Sequence, residues 1–265
     1  MDTKTYWNNI SDKWYENSEE IVECIKENPE KGFPPDVYEM IKKEFVDLKN
    51  VNVLIPSSGD NIAAFSFHLL GANVTSSDLS DQQIENSIKI ADKNKWNIEF
   101  LCCDSMLLKG IKDNEYDLVY TSNGAHIWIR DLSIMYKNFY RVLKKNGYYI
   151  FFETHPFIRP FDSSGTEIKI IKPYELTGPF HHENGGTEYE WRLEDFIKGL
   201  LSADFTIKDY RDIKAKPTDI MAHNWFYKSK KELEDDNAQK FDWRKNPWAA
   251  LPQWIGFKVQ KENKY

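Results

Sequence analysis

VNVLIPSSGDNIAAFSFHLLGANVTSSD, residues 51–78, is the stretch from which the fold can be read. Val51, Val53, Leu54 and Ile55 form a short apolar run of the kind a parallel strand buried on both faces requires. Pro56-Ser57-Ser58-Gly59 breaks that run at the strand's carboxyl end. Asp60 or Asn61 can then cap a helix whose apolar face is Ile62, Phe65, Leu69 and Leu70, with Gly71 supplying the left-handed residue that ends it. Val74 to Asp78 reads as the next strand, and Asp78, nineteen residues past Gly59, stands at its tip. A strand, turn, helix and strand with an acid on the same rim as the turn make half of a nucleotide-binding α/β fold. Helix N–H groups face the crevice, and the carboxylate can accept two hydrogen bonds from a ribose. The unit predicts a bound nucleoside.

The same alternation continues downstream. Ser80 and Gln83 read as a capping box for a helix carrying Ile84, Ile88 and Ala91 on one face. Ile98 to Cys103 is a third strand ending in Asp104-Ser105. Tyr116 to Thr121 is a fourth, followed by a polar and aromatic turn, Ser122 to Trp128. Leu132, Met135, Tyr136, Phe139, Val142 and Leu143 line a helix, and Asn146-Gly147 turns the chain into a fifth strand, Tyr148 to Glu153, whose end bears Thr154-His155-Pro156. Five strands alternating with helices predict an α/β fold with a doubly wound parallel sheet. Trp191 to Ser202 reads as a helix, and Phe205 to Tyr210 and Trp254 to Val259 as strands. Residues 157–190 and about 214–250 are insertions after the fifth and sixth strands, of a length that usually covers a site. Residues 1–50 form an N-terminal helical segment preceding a core of residues 51–265. Its Tyr6, Trp7, Trp14 and Tyr15 either fold over the crevice as a lid or dock outside it.

Composition excludes several function classes. With 35 basic and 42 acidic residues the 265-residue chain carries a formal charge of −7, and no basic run is interleaved with aromatics, so the footprint of a nucleic-acid binder is missing. No apolar run approaches the roughly 18 residues of a membrane span, and MDTKTYWNNI lacks the pattern of a signal peptide, so the expected location is cytoplasmic, away from membranes. Cys24, Cys102 and Cys103 fit reduced packing thiols better than a disulfide framework. His181-His182 and His155 lack accompanying ligands at a recognised spacing, so no metal is expected. Nine Trp, fourteen Tyr and sixteen Phe exceed what one core requires, and aromatic walls suit a pocket for a cation or a flat organic molecule.

With these motifs in place, the chain resembles the class I S-adenosylmethionine-dependent methyltransferases over Val51 to Pro156, and in outline through the last helix and two strands. It is similar to a bacterial subgroup whose first motif reads PSSGDN, here Pro56 to Asn61, and which carries YTSNGAHIWI, here Tyr120 to Ile129, and HPF, here His155 to Phe157. The resemblance implies a Rossmann-like, mostly parallel seven-stranded sheet with an antiparallel last strand, and S-adenosyl-L-methionine lying across the strand tips. By position it places Ser57, Ser58 and Gly59 along the methionine part, Asp78 on the ribose hydroxyls and Leu79 on the adenine ring. Asp104, with Ser105 beside it, would meet the adenine amino group, and Thr121, Ser122 and Asn123 the methionine end. Two departures stand out: Ile55 replaces the family's first-motif acid, and Ser57 and Asn61 replace glycines. Asn tolerates positive φ and Ser is small, so the turn is expected to form.

Methyl transfer is an in-line displacement, so a protein mainly aligns the acceptor and excludes water, with a base needed only where the acceptor must lose a proton. His126 and His155, after the fourth and fifth strands, are the candidate bases, with Glu153 behind them; a structural or substrate-orienting role is the alternative for either histidine. Trp128, Arg159, Tyr189, Trp191 and Trp225 are candidate contacts for a small-molecule acceptor. Two rival classes stay open. Tyr140 and Lys144 have the Tyr-x-x-x-Lys spacing of a nicotinamide oxidoreductase, although no glycine follows Gly59 until Gly71, and a non-catalytic nucleoside-binding module would also accommodate the altered first motif.

Overall fold

The computed structural model describes residues 2–16, 18–162, 167–182, 185–216 and 239–262. Its strands are β1 (Asn52–Pro56), β2 (Asn73–Asp78), β3 (Glu99–Cys102), β4 (Tyr116–Thr121), β5 (Leu143–Thr154), β6 (Phe180–His181), β7 (Thr187–Glu188), β8 (Thr206–Ile213) and β9 (Trp254–Gln260). Seven of them form one sheet in the order β3-β2-β1-β4-β5-β9-β8, while β6 and β7 pair as a separate small hairpin. β1 to β5 are mutually parallel, and β9 runs antiparallel to both β5 and β8. This is the doubly wound, seven-stranded architecture expected from the sequence.

The apolar run of β1 has a direct cause. Val53 and Ile55 pack on one face of the sheet with Leu118, Tyr120, Ile150 and Phe152, while Leu54 packs on the other with Val119, Tyr149 and Phe151. Both faces are roofed, so neither phase of the strand alternation is polar. The helices are α1 (Thr3–Glu16), α2 (Ser18–Glu27), α3 (Pro35–Glu44), α4 (Ile62–Leu69), α5 (Asp81–Asn94), α6 (Leu132–Val142) and α7 (Leu193–Ser202). α6 is capped by Asp131, whose side chain accepts from Ile134 N, and it turns Met135, Tyr136, Phe139 and Val142 inward beside Phe196 and Leu200 of α7.

The N-terminal segment does not act as one body. α3 belongs to the core, with Val37, Met40 and Ile41 fully buried against the β1, β4, β5 and β9 face. α2 packs Val22 and Ile25 on Phe65 of α4. α1 reaches the rim, where Trp7 lines the cleft, and is tied to α5 by Asn8 Nδ2 to Asp81 Oδ1 (2.8 Å), Ser80 Oγ to Asn8 Oδ1 (2.6 Å) and Asn86 Nδ2 to Asp12 Oδ1 (3.1 Å).

Three local expectations shift. β5 starts at Leu143, before Asn146-Gly147: Asn146 takes a left-handed φ of 63°, and its N–H donates to Lys261 O, so strand pairing continues through the turn. β8 extends to Ile213 because its register with β9 holds as far as Trp254. Ser80 caps α5 by accepting from Gln83 N, but the reciprocal half of the capping box is replaced, since Ser80 N donates to Asp78 Oδ1 (2.9 Å). Among the described residues no helix is long and apolar enough to cross a membrane.

Candidate active site

The turn after β1 holds Ser57, Gly59 and Asn61 at φ 50°, 54° and 61°, all left-handed. The turn therefore takes three left-handed residues, of which one is a glycine. Asn61 is buried and doubly used: its Nδ2 donates to Gly59 O (3.1 Å) and Ser87 Oγ (2.7 Å), and its Oδ1 accepts from Ser76 Oγ. Asn both tolerates the conformation and braces the turn from beneath. Ser57 pairs its hydroxyl with Ser105 Oγ at 2.7 Å, joining the turn after β1 to the loop after β3. For Ser57→Gly, relief of a left-handed side chain, roughly 1–2 kcal/mol, is opposed by loss of about 1 kcal/mol of hydrogen bonding and by glycine's chain entropy of about 0.5–1 kcal/mol. Urea denaturation is accordingly expected to find this variant within about 1 kcal/mol of the parent.

Asp78 staples two strand tips. Its Oδ2 accepts from Gly59 N (3.0 Å) and its Oδ1 from Ser80 N (2.9 Å). Burial pushes its carboxyl above the ordinary range, against the pull of those backbone donors. Asp104 turns its Oδ1 to Met106 N (2.8 Å) at the next tip. Over these tips opens a cleft of about 1820 Å³, lined by Ser57, Ser58, Gly59, Asp78, Leu79, Asp104 and Ser105, and beyond them by Ser122, Asn123, Trp128 and Tyr189. A Cβ at Gly59 would meet nothing within 4 Å, so the space above the turn is open, and Ser58 Oγ is buried there without a hydrogen-bond partner among the described residues.

Trp7 of α1, one of the aromatics expected either as a lid or outside the crevice, lines the cleft; the rest of the wall was not expected from sequence: Phe33 and Tyr38 around the start of α3, and Tyr120, Phe152 and Trp254 at the tips of β4, β5 and β9. Strand alternation carries the signal for Tyr120 and Phe152, because both share a face with Val53 and Ile55.

Several sequence candidates lie elsewhere. Thr121 points to the opposite face, where its Oγ1 pairs with Tyr149 OH (2.8 Å). His126, expected as a base, is 0% exposed: its Nδ1 faces Glu153 Oε2 (3.2 Å), its Nε2 faces Tyr149 OH (3.1 Å), and Phe151 and Phe196 flank the ring. His155 pairs with Asp212 Oδ1 (3.0 Å) and accepts from Phe157 N (3.1 Å). Neither histidine is on the cleft lining. Their places after strand ends were read correctly, but the side of the sheet was not, and a sealed imidazole cannot meet an acceptor. Trp191 is a post, donating Nε1 to Ile129 O (3.0 Å) and His126 O (3.2 Å) and stacking on Tyr189 at 5.5 Å. Arg159 ends the short turn Pro156–Ile158, off the lining. Trp225 lies outside the described residues.

These pairs set an acid sensitivity. Burial pushes His155 below its ordinary pKa, opposed in part by Asp212. Burial pushes Glu153 up, but the hydrogen bond from His126 and the donors around it bring it below the ordinary carboxylate range. A depressed folded-state pKa gives stability that is complete above the unfolded value and lost as pH falls through the folded one. Stability is therefore expected to decline first below about pH 6.5 through His155, then below about pH 4 as Glu153 protonates. Urea midpoints at pH 7.5 and 5.5 check the first step, and His155→Gln is expected to show the smaller difference between them.

This geometry, two acidic strand tips and a left-handed turn under an open cleft, frames the comparisons. Residues 56–151 match the methyltransferase domain family. The uncharacterized methyltransferase YbaJ of Bacillus subtilis (strain 168) is 26% identical over 208 residues, covering 73% of this chain and 76% of that protein. Among solved structures, an S-adenosylmethionine-dependent methyltransferase from Mesorhizobium loti superposes with a TM-score of 0.61 at 15% identity, over 84% of this chain and 96% of that one. A putative S-adenosylmethionine-dependent methyltransferase from Listeria monocytogenes gives 0.60 at 18% identity, over 86% and 98%. The structural likenesses establish the fold. The domain match and the relative support a methyltransferase.

The oxidoreductase signature comes apart in the same structure. Lys144 Nζ is bound to Asp117 Oδ2 (2.7 Å), whereas the Tyr140 ring lies beneath Lys261 Nζ at 4.8 Å and against Phe205, and neither residue lines the cleft.

Proposed function

We propose that this chain transfers a methyl group from S-adenosylmethionine to a small neutral or cationic acceptor held in the same cleft. The supporting observation is the cleft itself, one continuous space reaching from the tips of β1, β2 and β3 to the aromatic tips of β4, β5 and β9. At about 1820 Å³ it exceeds the roughly 300–1,000 Å³ of a single ligand site, leaving room for a nucleoside and a second molecule side by side.

Asp78 has the right donors already in place. Each carboxylate oxygen accepts one backbone N–H and retains a lone-pair position, so the pair can still receive two ribose hydroxyls. Asp104 serves the adenine amino group and Leu79 packs on the ring. Ser57, Ser58 and Gly59 follow the methionine part, and Ser122 and Asn123 stand at its end. The bound sulfonium supplies an electrophilic methyl carbon. The chain's part is to orient the acceptor between Trp7, Trp128, Tyr189 and the β4–β5–β9 aromatic wall and to exclude water. Among the described residues the lining carries seven carboxylates (Asp2, Glu30, Asp36, Glu39, Asp60, Asp78, Asp104) against four cations (Lys4, Lys31, Arg130, Lys216), which favours neutral or cationic acceptors over polyanions. Among the described residues no histidine lines the cleft, which favours an acceptor that reacts through a lone pair already free at neutral pH. Label from methyl-tritiated S-adenosylmethionine, added with the protein to a cell extract, is expected in the low-mass fraction. Label in RNA or protein instead would overturn the acceptor class.

A further inference from the structure

Among the described residues Glu153 is the one buried carboxylate that the chemistry above leaves unused. It is 1% exposed, and a buried charge persists only where hydrogen bonds converge on it. Here four do: Gly124 N (3.0 Å), His126 N (3.1 Å), Thr154 N (2.8 Å) and His126 Nδ1 (3.2 Å). Two of those donors are backbone amides of the loop after β4, whose Ser122, Asn123, Gly124 and Ala125 line the cleft. The next residue of β5 adds a second tether, Thr154 Oγ1 donating to Asn123 Oδ1 (2.9 Å). From the far side His126 is held by Tyr149 OH, which also meets Thr121 Oγ1. The result is a clamp: β5 grips the β4 loop from behind while the front of that loop faces the ligand.

We propose that Glu153 is a positioning residue which, without entering the cleft, fixes the Ser122–Ala125 loop in the shape that receives the methionine end of the cofactor. The inference rests on the function proposed above. A carboxylate is required because every neighbour is a donor. An amide at this position would turn its own NH2 toward backbone N–H groups and push the loop away.

Glu153→Gln separates positioning from plain structural support when paired with Tyr149→Phe. The tyrosine hydroxyl belongs to the same buried network but touches no loop amide. Both variants are expected to melt below the parent. Only Glu153→Gln is expected to weaken S-adenosylhomocysteine binding, by tenfold or more in calorimetry, and to speed hydrogen exchange in the peptide spanning residues 120–128. Tyr149→Phe is expected to bind within twofold of the parent. Parental affinity in Glu153→Gln, or an equal loss in Tyr149→Phe, overturns the proposal. If Glu153→Gln fails to fold, Glu153→Asp reads the same contact: it keeps the charge but draws back from the loop amides by one methylene, so weaker binding with faster exchange supports the clamp and parental values for both overturn it. If the parent itself does not bind S-adenosylhomocysteine, the functional reading fails, and the exchange data alone still decide for or against the clamp.

Discussion

Asp78→Ala is expected to lower the affinity for S-adenosylhomocysteine at least tenfold and to reduce stability by about 2–4 kcal/mol. The two effects have one origin. The carboxylate accepts Gly59 N and Ser80 N, holding the tips of β1 and β2 at a fixed separation, and Asp78 lines the cleft. Removing it strands two backbone donors, each costing roughly 1–3 kcal/mol if buried, with partial recovery through water. In the proposed binding mode it also removes charge-assisted acceptors for the ribose, each worth about 1.5–3 kcal/mol. Calorimetry and urea denaturation on the same preparation separate the parts. A folded variant with parental affinity would take Asp78 off the cofactor.

Gly186→Val is expected to have the second-largest effect, by opening the contact between α1 and the rest of the rim. Gly186 sits at φ 83°, where a side chain is strained, and a Cβ there would lie 3.0 Å from Trp128 Cζ3 and 3.3 Å from Tyr6 Cγ. Around it Tyr6 stacks on Trp128 at 5.2 Å, Trp7 meets Trp128 edge-on at 5.3 Å, and His182 approaches both Tyr6 and Trp128. One ring cluster thus joins α1, the loop after β4 and the β6–β7 hairpin. Valine adds about 1–3 kcal/mol of backbone strain and displaces rings whose pairings contribute about 0.5–1.5 kcal/mol each. Hydrogen exchange of residues 3–16 is expected to accelerate, with weaker S-adenosylhomocysteine binding alongside. Unchanged exchange in α1 would show that the ring cluster does not hold it down.

The first five strands and their parallel direction were legible because both faces of this sheet are covered, which turns β1, β4 and β5 into apolar runs bounded by turn residues. The rim was legible for a related reason: parallel strands place Gly59, Asp78 and Asp104 at the same end. What escaped was which way each tip residue faces. Thr121 and His126 drew attention as polar residues near a crevice, yet the pleat turns Thr121 toward Tyr149 and the short helical turn folds His126 beneath α6 and α7. Their neighbours Tyr120 and Phe152 read as ordinary core and line the cleft instead. Trp191 was recognised as important for the wrong reason, since its indole supports the loop rather than a ligand. Asn61 shows the reverse case: its tolerance of positive φ was visible in sequence, but two of its three side-chain hydrogen bonds depend on Ser76 and Ser87, which only the fold brings near.

The central claim is that the rim over β1, β2 and β3 binds a sulfonium nucleoside rather than a dinucleotide. Isothermal titration of the parent and Asp78→Ala with S-adenosylmethionine, S-adenosylhomocysteine and NADH tests it most directly. The predicted result is binding of the first two by the parent, at least tenfold loss in the variant and no heat from NADH. Binding of NADH with neither sulfur nucleoside taken up would contradict it.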